Sequence, residues 1–308
     1  MILPLFDTHA HLISDDWDTY QARGLRPEDP VPARPDFTVT VDALIGMMDA
    51  QNVSRACLVQ RGQIYGYDNS CIIDGARKYP GRLHPVVILN ADDPATPGVY
   101  RGMVKNDHVR GFRMAQFRQD YLDTGWICSP QAMEVWRACA DLGTPLTAIL
   151  FMNQLPYLLP LVKMLAQMFP SLPILLDHGA MPFGMTQYEV GLARAAGRPI
   201  VMPGPPHFGI DKTIAIFEDV PNVHFKITEI NFERLAAAQV RPAHLVRRMV
   251  DSFGPDRLIW GSDIGQSMLW DYAQKAAMAR AAADFLTEEE ARKFLHDNAA
   301  RVYGAPGA

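Results

Sequence analysis

Apolar and polar residues exchange places in short blocks along the whole chain. Ile2 to Phe6 is a brief apolar run bounded by polar residues, which suits a fully buried strand. Val41, Leu44, Ile45 and Met48 then fall at i, i+3, i+4 and i+7, the repeat of an amphipathic helix. The two patterns keep alternating. Further strands are predicted at Arg55 to Gln60, Leu83 to Leu89, Val109 to Met114, Pro145 to Phe151, Pro173 to Asp177, Val223 to Thr228 and Leu258 to Trp260. Helices are predicted over Asn69 to Tyr79, around Gly98 to Lys105, and over Leu158 to Phe169.

Punctuation supports two more helices. Ser129-Pro130 reads as a cap followed by a first-turn proline. Ala132, Val135, Trp136, Cys139 and Leu142 then line one face, and Gly143 stops the helix. Thr287 and Glu290 form a capping box for a final helix through Val302.

Eight strand–helix units in 308 residues predict an α/β fold, a (β/α)8 TIM barrel forming a single domain over 1–308. A doubly wound open sheet is the alternative, but no GxGxxG follows a strand. Two long connections elaborate the barrel, Ser14 to Asp36 after strand one and Gly179 to Asn222 after strand six. The second contains a helical piece and Met202-Pro203-Gly204-Pro205-Pro206. Both follow strands, so both are expected to lie over the C-terminal mouth as lids.

Composition narrows the function classes. A net charge of −5 without a basic stripe argues against nucleic acid as a partner. The leading apolar segment lacks a basic n-region and is too short for a signal peptide. No apolar run approaches the roughly 20 residues of a membrane span. Cys57, Cys71, Cys128 and Cys139 show no CxxC spacing and read as reduced thiols, so the expected location is cytoplasmic. Self-association is left open.

The chemistry concentrates at strand ends. The first strand runs into Asp7-Thr8-His9-Ala10-His11, and strand alternation places Asp7, His9 and His11 on one side. Two imidazoles and a carboxylate there make half a divalent-metal site. His178 ends strand six, and Asp263 follows strand eight in Trp260-Gly261-Ser262-Asp263. Singly, each has a plainer role, a satisfied core histidine or a helix N-cap. Together at one barrel mouth, they argue for a site. Arg113, inside strand four, is expensive to bury unless it meets an anion, so it is a candidate clamp for a substrate carboxylate, with a salt bridge as the competing reading. Arg118, Arg61, Tyr65 and His207 are further candidates to touch substrate. His84, His108, His224, His244 and His296 are assigned to structure.

Several of these segments, taken in order, resemble the amidohydrolase superfamily, specifically its amidohydrolase-2 branch. They are Phe6-Asp7-Thr8-His9-Ala10-His11, Asp68-Asn69, Gly111-Phe112-Arg113, Leu176-Asp177-His178-Gly179, Pro221-Asn222-Val223-His224-Phe225-Lys226, Trp260-Gly261-Ser262-Asp263 and Asn298-Ala299-Ala300-Arg301. Within the branch the likeness is to hydrolases of the 2-pyrone-4,6-dicarboxylate lactonase type, enzymes of aromatic-compound catabolism. The resemblance implies a hydrolase that opens a lactone or similar cyclic ester of a small carboxylated compound, by attack of a metal- or Asp-activated water. Decarboxylases and hydratases of the same branch supply the alternative reaction, and a catalytically dead barrel serving as a binding module is the non-enzyme alternative. It also implies that His9, His11, His178 and Asp263 hold one divalent metal, zinc or manganese, or do its work without one, with Asp263 and His178 catalytic. Strand four ends Arg113-Met114 and strand five Phe151-Met152, with no His, Glu or Lys for a second metal. Where the dicarboxylate lactonases place an arginine after strand seven, this chain has Lys226-Ile227-Thr228-Glu229-Ile230-Asn231, so that exact substrate does not carry over.

Overall fold

The structure is a computed structural model that describes residues 3–115, 125–150, 154–181, 194–197, 203–206, 208–266 and 268–304. Eight strands follow one another around a single parallel sheet in chain order. They are β1 (Leu5–Ala10), β2 (Val53–Val59), β3 (Leu83–Val87), β4 (Gly111–Ala115), β5 (Leu146–Ile149), β6 (Ile174–Leu176), β7 (Val223–Thr228) and β8 (Leu258–Gly261). The ring closes at the mouth. Ile264, just past β8, bridges Ala10 in parallel, Asp263 N–H donates to His9 O at 2.7 Å, and His11 N–H donates to Ile264 O at 2.9 Å. This is the expected (β/α)8 barrel.

The helices match their sequence signals closely. Val41–Ala50, Ser70–Lys78, Thr96–Asn106 and Pro130–Leu142 occupy the predicted crossovers. Ser129 Oγ accepts from Ala132 N at 3.1 Å, and Gly143 ends its helix in the left-handed region at φ 64°. The helix after β5 starts at Leu155, three residues before the expected Leu158, because Pro156 fits a first helical turn. Among the described residues of the connection after β6, Ile210–Phe217 is helical. Among the described residues, three longer helices went unread, Glu229–Ala237 and Pro242–Phe253 between β7 and β8 and Tyr272–Ala282 after β8, as did the short helices Gly62–Tyr65 and Gly125–Cys128. The capping box at Thr287 and Glu290 is present, and the last helix continues through a π turn at Lys293–Asp297 into Asn298–Val302. No described helix is long and apolar enough to cross a membrane.

Two apolar layers position the site. The larger packs the outer face of the strands against the helices. The smaller fills the barrel with Phe6, Cys57, Val59, Val86, Leu175 and Ile259, capped by Ala299, Val302 and Tyr303. Tyr303 reaches Gly111 at the start of β4, so the C-terminal helix plugs the N-terminal end of the barrel. The opposite end is left for polar side chains. There the connection after β1 packs on the connection after β2: Arg23 N–H donates to Ile64 O at 2.8 Å, and Trp17 stacks on Tyr65 at 5.9 Å.

The first strand departs from its sequence reading. It runs Leu5–Ala10, through Asp7-Thr8-His9, whereas the apolar run ends at Phe6. An apolar pattern stops where the site begins, but backbone pairing with β2 does not. The register also shifts between Asp7 and Ala10, which breaks the alternation of faces.

Candidate active site and metal centre

His9 lies near the end of β1 and His11 just beyond it, and the register shift lets Phe6 and His9 both face the barrel interior. Asp263 is carried past β8 on a left-handed turn, φ 55°. Asn, Asp and His tolerate this region better than other residues with a side chain, and such strain gathers at functional sites. Gly261 makes the approach feasible: a Cβ there would stand 2.6 Å from His9 Cβ. Gly265, at φ 85°, likewise passes against the His11 backbone, where a Cβ would come within 2.6 Å of its carbonyl oxygen.

These elements bring His9, His11 and Asp263 together, with one ligand atom from each inside 4.8 Å of the others, all buried. Asp263 Oδ1 stands 3.5 Å from His9 Nε2 and 3.4 Å from His11 Nε2. Two ligands bonded at roughly 2.0–2.1 Å to one tetrahedral ion would lie about 3.3 Å apart, so the spacing fits a shared cation. The donors are also unsatisfied, since His9 Nε2 and both Asp263 oxygens are buried without hydrogen-bond partners. Burial pushes the His9 imidazolium down to about 3 and that of His11 to about 4, so both rings are neutral and can offer lone pairs near neutral pH. Burial alone would raise the Asp263 pKa, but the three surrounding imidazoles outweigh it and hold the carboxyl well below its usual range. The residues present fit one divalent ion.

His178 stands beside this cluster rather than within it. Its ring centroid is 5.5 Å from that of His9, and it is absent from the group whose ligand atoms lie within 4.8 Å. Its backbone is left-handed, φ 54°, its Nδ1 meets Thr228 Oγ1 at 2.6 Å, and its carbonyl accepts from Asn231 Nδ2 at 2.9 Å. Asp7, expected on the side of the histidines, is turned to the β8–β1 seam. There it accepts from Ser262 N, Ser262 Oγ and Tyr272 Oη, and the same register shift is the reason.

The remaining candidates separate. Arg113 is buried, and its Nε donates to Asp177 Oδ2 at 2.8 Å. The competing salt-bridge reading therefore finds its carboxylate in Asp177, while Glu229, which follows β7, pairs with Lys275 on the outer helix. Arg61 caps the short helix Gly62–Tyr65 and gives Nη1 to Gln63 Oε1 at 2.7 Å, while its buried Nε has no partner. Burial lowers its pKa to about 10, against the pull of Asp263 and with repulsion from Arg113, which puts both arginines in the electrostatic field of the cluster. Tyr65 is 2% exposed and spends its hydroxyl on Ser14 N at 2.9 Å, which places it in loop packing. Arg118 and His207 lie outside the described residues. Sequence reading passed over Asp177 and Lys226 as site residues. The available signal was a pair of inward cations, Arg113 and Lys226, on strands with no acid beside them.

A cluster of two imidazoles and a carboxylate, flanked by a third histidine and two arginines, can bind a cation, move a proton and receive an anionic substrate. The chain is 24% identical over 306 residues to 4-sulfomuconolactone hydrolase of Hydrogenophaga intermedia, a match covering 97% of this chain and 88% of that protein. The solved structure of a probable 2-pyrone-4,6-dicarboxylic acid hydrolase from Acinetobacter baumannii, with citric acid bound, superposes at TM-score 0.71 and 20% identity, covering 98% of this chain and all (100%) of that one. An amidohydrolase from Burkholderia multivorans with bound zinc superposes at TM-score 0.66 and 20% identity, covering 98% and 100%. The amidohydrolase family model matches residues 6–305, so the chain belongs to the amidohydrolase family.

Proposed function

We propose that the protein hydrolyses a lactone, or a similar cyclic ester, of a small carboxylated compound of the kind met in aromatic breakdown. The observation that carries this is the buried His9–His11–Asp263 cluster with its unsatisfied donor atoms at the mouth of the barrel. His9, His11 and Asp263 would hold one divalent ion, with His178 beside them. Zinc suits the imidazoles best, and manganese tolerates the carboxylate equally well. Such an ion, when bound, polarises a carbonyl and acidifies water.

The chain's own groups do the rest. Asp263 Oδ1 faces both imidazoles, which leaves Oδ2 to take the proton of the attacking water and return it to the leaving alkoxide. In the tautomer whose Nδ1 accepts from the Thr228 hydroxyl, His178 would present Nε2–H to the ester carbonyl as negative charge develops there. Arg61 and Arg113 receive the substrate carboxylate, with Arg118, which follows β4 in sequence, and His207, in the connection expected over the mouth, as further candidates to touch it. The known name of the sulfomuconolactone hydrolase supports lactone opening over decarboxylation. The free cysteines among the described residues fit a cytoplasmic location.

The test is a panel of muconolactones, pyrone carboxylates and sugar lactones, assayed on metal-stripped protein and after addition of Zn²⁺ or Mn²⁺. Proton release without carbon dioxide, restored by metal, is the expected result. Carbon dioxide release would replace the lactonase reading with decarboxylation, and full activity in chelator would remove the metal.

A further inference from the structure

Behind the His9–His11–Asp263 cluster the barrel holds a second charged group, of which the chemistry above uses only Arg113. Asp177, at the end of β6, receives Arg113 Nε on one oxygen at 2.8 Å. Its other oxygen faces Lys226 Nζ at 3.1 Å and His9 Nδ1 at 3.4 Å. The side chains of Asp177, Lys226 and His9 have 0% exposure, and that of Arg113 has 3%.

Burying an ion pair in this way is seldom a gain in stability. An apolar pair of the same volume usually serves the fold as well or better. The geometry shows what the ions hold. His9 Nε2 faces Asp263, and the nitrogen behind it, Nδ1, faces Asp177. A carboxylate behind a metal-binding imidazole fixes its tautomer and its ring orientation. His11 has the equivalent support from a backbone carbonyl, Val59 O, 2.7 Å from its Nδ1. The 3.4 Å contact is longer than a formed N–H···O bond, and both His9 Nδ1 and this Asp177 oxygen are buried without a hydrogen-bond partner, so each is free to serve the other.

We infer that Asp177 is the positioning residue for His9, and that Lys226, deep in the barrel, holds Asp177 to that task. The carboxylate takes Nδ1–H and leaves the Nε2 lone pair directed at Asp263 and a cation. Lys226 and Arg113 occupy its other acceptor directions, so Asp177 supports the cation without joining its ligands. The inference rests on the cation-binding reading above.

Asp177→Asn alone would strand two buried cations, so the test pairs it with Lys226→Met, which keeps the charge balanced. Zn²⁺ affinity is measured on chelator-stripped full-length wild type, Lys226→Met and Asp177→Asn/Lys226→Met by competition with a chromogenic chelator. Thermal melts of the metal-free proteins report folding. The double variant should melt as a folded protein and bind Zn²⁺ roughly 10- to 100-fold more weakly than wild type, with Lys226→Met between them. Long-range ¹H–¹⁵N spectra should show one His9 tautomer, Nδ1–H, in the metal-free wild type and a mixture in the double variant. A purely structural role would not move that signal. Affinity within about twofold of wild type in the double variant, or an unchanged tautomer, overturns the inference and leaves the metal site standing. A wild type that takes up neither Zn²⁺ nor Mn²⁺ overturns both, and does so without reference to any variant.

Discussion

Asp7 and Ser262 are joined twice across the seam that closes the barrel. Ser262 N donates to Asp7 Oδ1 at 2.8 Å and Ser262 Oγ to Asp7 Oδ2 at 2.6 Å. Tyr272 Oη adds a third bond at 3.0 Å and His9 N a fourth at 3.0 Å. Ser262 precedes Asp263, so the aspartate that opens the motif fixes the turn that carries the site's carboxylate. Removing it leaves several buried donors unmatched.

Asp7→Ala should therefore destabilise the protein by about 3–5 kcal/mol, while Asp7→Asn, which keeps one acceptor oxygen, should cost about 1–2 kcal/mol. Urea melts of the metal-free proteins measure this. An alanine variant within about 0.5 kcal/mol of wild type would show that the seam does not depend on Asp7.

The barrel itself was legible because its signals are local. Val41 to Met48, Ser129 to Gly143 and Thr287 to Glu290 each carry their periodicity or caps within a dozen or so residues, and the structure places helices there. The strand ends were harder, since polar site residues interrupt the apolar pattern while the backbone ladder continues, as at Asp7-Thr8-His9. The positions of His9, His11 and Asp263 at one mouth follow from strand order alone. The facing of Asp7 does not, because one register shift inverts it. Least legible was the partner of Arg113: Asp177 comes from β6, two strands away around the ring, and nothing in the flanks of either residue names the other.

On the surface, Glu290 offers a pH test. Arg247 grips both of its oxygens, at 2.8 and 3.1 Å, and Thr287 N donates to it at 2.9 Å. The guanidinium, with the Thr287 amide, pulls its carboxyl from 4.5 down to about 2. A depressed carboxyl stabilises the fold above its unfolded pKa, and that contribution is lost as pH falls through the folded value. Glu290→Gln should cost about 1 kcal/mol at pH 7, a modest figure because the pair is screened by solvent. The gap should shrink steadily from pH 4.5 towards pH 2 in urea melts. A gap constant over that range would mean that the ion pair contributes nothing.

Asp263 has two duties, ligand and proton carrier, and Asp263→Asn preserves its shape while removing both its charge and its basicity. General acid–base catalysis typically contributes about 10²- to 10⁴-fold, so kcat should fall by at least about 10²-fold, with weaker metal retention and an intact fold. Turnover near wild type, measured with metal content on the same preparation, would exclude Asp263 as the base.

Arg61 is the cleaner probe of substrate charge, because Arg113 is already engaged by Asp177 and its replacement would disturb His9 as well. Arg61 Nε is buried without a partner, and its guanidinium lies in the field of Asp263 and Arg113. Its Nη1 already meets Gln63, but the buried Nε has a donor to spare, so the guanidinium can still take an anion. Arg61→Met keeps the length of the side chain and removes the fork. With a carboxylated lactone, KM should rise by roughly 10-fold or more, since a hydrogen bond to a charged group is worth about 1.5–3 kcal/mol. The corresponding methyl ester should be a poor substrate for wild type and lose little further in the variant. Lysine should rescue only part of the loss, because an ammonium cannot reproduce bidentate geometry. If wild type handles acid and ester with equal kcat/KM, no carboxylate is clamped at this mouth.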